Sequence, residues 1–183
     1  MNTEIMTDPD GLKEEGLKQF QRGELDNAVA TFETAVSAYA AEQNPVGQAE
    51  MLNNIGVIQR MRDNHDESLE AFTTANALCQ QANDINRRAQ VLGNMGDLYV
   101  SMGDKETAAR YYSDAAELFA QCDDAQKQSQ VLKALSLMRL RQGQWMSAMM
   151  HMETSLRVKP RRGLFGSLFL GMIRFALSLF GGK

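Results

Sequence analysis

Hydrophobic residues recur along this chain in blocks with helical spacing. Met51, Leu52, Ile55, Ile58 and Met61 stand three or four residues apart, which sets them on one face of a helix. Asp63-Asn64 interrupts the pattern, and Leu69, Phe72, Ala75 and Leu78 resume it. No strand-like alternation occurs before the C-terminal tail. The blocks are copies of one another. Leu12, Leu52, Leu92 and Leu132 are 40 residues apart, as are Gly16, Gly56, Gly96 and Ser136. The same step links Gly23, Asp63, Gly103 and Gly143, then Ala28, Ser68, Ala108 and Ala148, then Phe32, Phe72, Tyr112 and Met152, then Ala35, Ala75, Ala115 and Ser155. The pattern predicts an all-α chain of four two-helix units, at about residues 10–44, 45–83, 84–123 and 124–159, behind an N-terminal tail of residues 1–9.

Stops and caps fall where this scheme needs them. Asn64 and Asp104 are placed to cap second helices, and Asn44-Pro45, Asn83-Asp84 and Asp123-Asp124 to start the following first helices. Gly16, Gly56 and Gly96 lie in helix interiors, where glycine costs about 1 kcal/mol against alanine. Their repetition in register predicts that a neighbouring helix passes close by. Trp145, at the start of the last second helix, is expected to pack inside.

The columns Leu92, Gly96, Gly103, Ala108, Tyr112 and Ala115 resemble the tetratricopeptide repeat. The period of 40 is longer than that family's usual 34, and is similar to the long-helix repeats of kinesin light chains and spindle-orientation adaptors. The resemblance covers about residues 10–160, with a closing proline only at Pro160. It implies a right-handed superhelical solenoid whose first helices line a concave, peptide-binding groove. By family register, Lys13, Asn53, Asn54, Arg60, Asn94, Asp97, Lys133 and Arg141 are then candidate partner-binding residues. Asn54 and Asn94 hold equivalent positions, where an asparagine in long-repeat relatives bonds the backbone of an extended peptide. An amide offers donor and acceptor together. The carboxylate clamp of chaperone-binding relatives is not expected, because Leu17, Gln90 and Asn94 stand where its asparagine, lysine and arginine belong.

Composition changes the picture at the C-terminus. Net charge is −4, yet residues 157–183 hold six bases and no acid, leaving 13 bases against 23 acids before them. The acidic body argues against nucleic acid. Residues 160–163 read as a basic hinge, and Leu164 to Phe180 as a helix with twelve apolar residues in seventeen. Ser167, Gly171, Arg174 and Ser178 fall within about 60° on its wheel. Three readings compete. In the first, Arg161, Arg162, Phe165, Leu168, Phe169, Ile173, Phe175 and Phe180 bind an anionic membrane surface. In the second, the helix caps the solenoid or joins subunits. The third, spanning, is disfavoured: seventeen residues reach only about 25 Å, and Arg174 sits near the middle.

Candidate chemistry is sparse. His65 and His151 lack metal-ligand spacing, and Gly163-Leu-Phe-Gly166 lacks the ending of a phosphate loop. Cys79 and Cys122 fit small core hydrophobes better than reactive thiols. The polar N-terminus has no signal-peptide character, so a cytoplasmic location, peripheral on a membrane, is expected. These readings combine into a non-enzymatic adaptor without cofactor, whose groove takes a protein segment and whose tail meets a membrane. The alternative is a soluble, self-assembling structural protein.

Overall fold

The computed structural model describes residues 8–158 and 164–180. Among them are nine helices and no strand: α1 (Pro9–Gln21), α2 (Leu25–Ala41), α3 (Pro45–Met61), α4 (His65–Gln81), α5 (Ile85–Ser101), α6 (Lys105–Gln121), α7 (Ala125–Arg141), α8 (Trp145–Val158) and α9 (Leu164–Phe180). The basic hinge at 160–163 and residues 1–7 of the expected 1–9 tail lie outside the described residues, while Asp8 caps α1 and Pro9 begins it. Helices α2 to α7 each have 17 residues, and three residues join each to the next. The forty-residue period is therefore two half-units of twenty.

The junctions share one design. The middle residue of each is left-handed: Gly23, Gln43, Asp63, Asn83, Gly103, Asp123 and Gly143 all have φ between 54° and 84°. In four of them the side chain of the last residue caps the next helix, whereas Glu24 makes no such bond. Asn44 accepts from the Gly47 N–H at 2.9 Å, Asp84 from Arg87 at 2.9 Å, Asp104 from Thr107 at 3.0 Å and Asp124 from Lys127 at 3.0 Å. Each satisfies one donor that a helix start leaves unpaired. Asn64 departs from expectation. Its amide turns back to donate to Gln59 Oε1 at 3.0 Å, so α4 starts without a side-chain cap.

Each helix packs on its neighbours in the chain, giving a superhelical solenoid of four helix pairs with α9 laid against α8. The repeated glycines admit aromatic rings. A Cβ at Gly16 would meet Phe32 Cε1 at 2.5 Å, and one at Gly56 would meet Phe72 Cε1 at 2.6 Å. Gly47 plays the same part between units, where a Cβ would stand 2.4 Å from Tyr39 Cδ1. The fourth pair solves the contact differently. Ser136 occupies the glycine column, Met152 replaces the ring, and Ser136 Oγ donates to the Ala148 carbonyl at 2.7 Å. In the second pair the bond runs the other way, from Ser68 Oγ to the Gly56 carbonyl at 2.8 Å.

Cys79 is buried, and burial pushes its thiol up to about 11, which leaves it protonated and inert. Cys122 is half-buried and accepts a 3.5 Å contact from the Asn86 amide. Trp145 is not packed inside as expected. It begins α8 at the helix-start position shared with Lys105 and His65, and is largely exposed.

Candidate functional site

The first helices α3, α5 and α7 line a trough. One hollow of about 400 Å³ is bounded by Glu50, Asn53 and Asn54 of α3, Asn86, Arg87 and Gln90 of α5, and Lys127 of α7. A second of about 330 Å³ lies against Gly93, Asn94, Asp97, Tyr112, Val131 and Ala134. The two share Gln90 and Lys127, so the trough runs continuously across three units. Gly93 stands in the column of Lys13, Asn53 and Lys133, and leaves bare backbone where those units present long polar side chains.

One edge of the trough is paired within the protein. Lys13 Nζ meets Glu50 Oε1 at 2.6 Å, and Glu50 Oε2 accepts from Arg87 at 3.3 Å. Arg87 also reaches Asp84 at 2.8 Å. One unit further on, Lys127 repeats the arrangement with Asp124 at 3.2 Å and with Asn86 Oδ1 at 2.8 Å. Burial pushes the Asp84 carboxyl up, but hydrogen bonds from the backbone and side chain of Arg87 outweigh it and hold the group below the usual range. The backbone bond from Lys127, then the Asn86 amide, does the same for Asp124. Asn86, Arg87 and Lys127 were not singled out in the sequence. The signal for Arg87 and Lys127 was the column Gly47, Arg87, Lys127, where the glycine yields to Tyr39 and the lysine lies over the Phe119 ring at 5.8 Å; Asn86, in the column Val46, Asn86, Gln126, had none.

The residues expected in the groove divide by what they already bind. Lys13 is tied to Glu50. Asn94 donates to Asn53 Oδ1 at 2.7 Å, which occupies part of both amides. Asp97 accepts from the Tyr112 hydroxyl. Burial, then that hydrogen bond, raises the phenol well above its ordinary value and keeps it protonated. Asn54 makes no side-chain hydrogen bond among the described residues and borders the trough. Arg60 Nε is shielded from solvent with no hydrogen-bond partner there either. Lys133 and Arg141 are exposed on α7. The equivalence of Asn54 and Asn94 in sequence is thus broken in structure, and only Asn54 keeps its whole amide.

The second candidate is α9. Leu170 and Ile173 are 5% and 6% exposed, and Arg174 Nε donates to Glu153 Oε1 of α8 at 3.0 Å. Ile173, expected on a lipid face, instead belongs to the side that packs on the solenoid. The opposite holds for Leu168, Phe169, Met172, Phe175 and Leu179. All are exposed, Phe169 at 49% and Phe175 at 67%. The side chains of Phe165 and Phe180, and Arg161 and Arg162 entirely, lie outside the described residues. No helix among the described residues is long and apolar enough to cross a membrane. No cluster of His, Cys, Asp and Glu there could hold a metal ion.

Residues 47–121 match the family model for the tetratricopeptide repeat. Curated proteins yield no sequence match. Among solved structures, BtubC (BKLC) from P. vanneervenii is similar at 20% identity and a TM-score of 0.72, over 85% of this chain and 70% of that one. The crystal structure of MamA is similar at 18% identity and a TM-score of 0.64, over 83% and 78% of the two chains.

Proposed function

We propose that this tetratricopeptide-repeat protein is a non-catalytic adaptor whose trough holds an extended segment of a partner protein, and which its last helix attaches to an anionic membrane surface. What supports the first half is the continuity of the two hollows across α3, α5 and α7. A solenoid offers an elongated surface, and an extended backbone presents N–H and C=O groups along its length. Asn54 answers both kinds of group, and Arg60 brings a charge not yet neutralised by a carboxylate. Lys13, Arg87 and Lys127 serve instead to stiffen the trough wall, because their charges are already matched. The test is a pull-down with the full chain and with Asn54→Ala plus Arg60→Ala. A captured set that both proteins share in full moves the binding surface away from the trough.

The membrane half is supported by the exposed apolar arc of α9 together with the bases Arg157, Lys159, Arg161 and Arg162 that precede this helix in the sequence. Co-sedimentation with anionic and neutral vesicles, for the full chain and for residues 1–160, checks it. Loss of lipid binding on truncation is expected. A second reading has one observation in its favour. Burial of Leu170 and Ile173 makes α9 a cap on the last repeat, and the exposed arc would then join copies of the chain. Light scattering of the full chain, with and without Phe169→Ser and Phe175→Ser, distinguishes it. A mass that falls with these substitutions favours self-assembly.

A further inference from the structure

Helix α9 has three faces. At about 100° per residue, Leu168, Phe169, Met172, Phe175 and Leu179 occupy one arc of about 120°, and all five are exposed. Gly166, Leu170, Ile173 and Leu177 occupy a second arc of about 60°, and these are buried or half-buried. The polar residues Ser167, Gly171, Arg174 and Ser178 fill the third arc, which separates the other two on one side. The centres of the two apolar arcs lie about 130° apart. On the other side the two apolar arcs adjoin, so burial and not polarity divides them: together they span about 220°, of which the second arc is already in use against α8 and the first is open.

Electrostatics point the same way. The one cation described within α9, Arg174, is bonded to Glu153 at 3.0 Å while α9 is docked. Undocking would release a carboxylate from α8 near an anionic surface and leave Leu170 and Ile173 uncovered on the helix. Docked, α9 presents an exposed apolar arc, and the last turn of α8 carries the exposed Arg157. Apolar groups flanked by bases, with the nearest acid neutralised, complement an anionic bilayer surface.

We infer that α9 binds the membrane without leaving the solenoid: it is held between α8 and an anionic lipid surface, so attachment fixes the orientation of the whole trough. This rests on the membrane reading above and goes beyond it, since a tether that swings free would leave the trough unoriented. The test joins α8 to α9 covalently. In the full chain, with Cys79→Ala and Cys122→Ser to remove native thiols, Glu153→Cys and Arg174→Cys are linked by a short flexible bis-maleimide. The control carries the same cysteines capped with a monofunctional maleimide. Both are floated with vesicles of mixed anionic and neutral phospholipid, and the α8–α9 link is verified by mass spectrometry. Linked protein partitioning within about twofold of the capped control is expected. A drop of about tenfold or more on linking, with the control still bound, overturns the inference and shows that α9 must detach. If wild-type protein itself does not float, the membrane reading falls and the inference with it. A dimer by light scattering in that case assigns the exposed arc to a second copy.

Discussion

A Cβ added to Gly96 would lie 2.6 Å from Cδ1 of Tyr112, closer than real side-chain contacts come. The ring is buried and its hydroxyl is held by Asp97, so it cannot swing aside without losing a hydrogen bond. Gly96→Leu is therefore expected to cost about 1–3 kcal/mol or more, read as a lower midpoint in thermal or urea unfolding. Ser136→Ala is expected to act in the fourth pair by a different route. It removes the side-chain bond to the Ala148 carbonyl, which keeps its helical partner within α8, at a cost of about 0.5–1.5 kcal/mol.

Gln43 has φ of 54° in an exposed junction that other units fill with Gly, Asp or Asn. A left-handed residue with a Cβ costs about 1–2 kcal/mol, part of which glycine returns as unfolded-state entropy. Gln43→Gly is expected to stabilise by about 0.5–1 kcal/mol. A chain of this size should show that as a melting point about 1–4 °C higher by calorimetry. No gain would mean that the junction carries no strain.

The fourth pair should weaken in mild acid. Burial, with Arg139 nearby, lowers the His151 imidazole below its ordinary value of 6.5. A depressed folded value means that the unfolded chain takes up the proton first. The stability contributed by neutral His151 is full above about pH 6.5. It declines as pH falls from there through the folded value, and then levels. His151→Gln should flatten that decline in an unfolding series between about pH 7 and 5. A wild-type profile that the substitution leaves unchanged assigns the loss to other groups.

The faces of α9 should separate in mutagenesis. Phe169→Ser with Phe175→Ser removes exposed rings, each worth roughly 1.5–3 kcal/mol when fully buried, or about tenfold or more in partition. Vesicle flotation should fall sharply while melting is unchanged. Leu170→Ala with Ile173→Ala should raise amide exchange across α9 with no lipid present. Arg161→Gln with Arg162→Gln should reduce binding to anionic vesicles mainly at low salt, because screening already mutes charge at high salt.

The fold was legible because its constraints are local and repeated. Leu, Gly, Ala and aromatic columns at a fixed step can be read without knowing what they touch. What escaped depends on contacts between units. Gly47 and Tyr39 meet across a junction, so no helical period links them. Asn54 and Asn94 share a column, yet Asn94 is taken by Asn53, 41 residues away. Lys13 belongs to the groove register, but Glu50 of the next unit neutralises it. Asn64 looked like a cap because its residue type suits one, while Gln59 competes for its amide. On α9, apolar content showed that one partner could not cover the helix. Which side Ile173 faces required the packing on α8.

The uniform three-residue junctions bear on how such a chain can change length. A duplication or loss of forty residues leaves every junction intact, so the backbone tolerates recombination at any of them. The polar contacts do not. Ser129 and Ser155 lie in one unit and would be copied together. Arg62 with Asp26, Arg87 with Glu50, Asn86 with Asp124 and Arg139 with Glu106 each cross a border between helix pairs. A unit inserted at any of those borders would strand one member of a pair. The order of the four copies is therefore written in their bridges, even though their backbones are interchangeable.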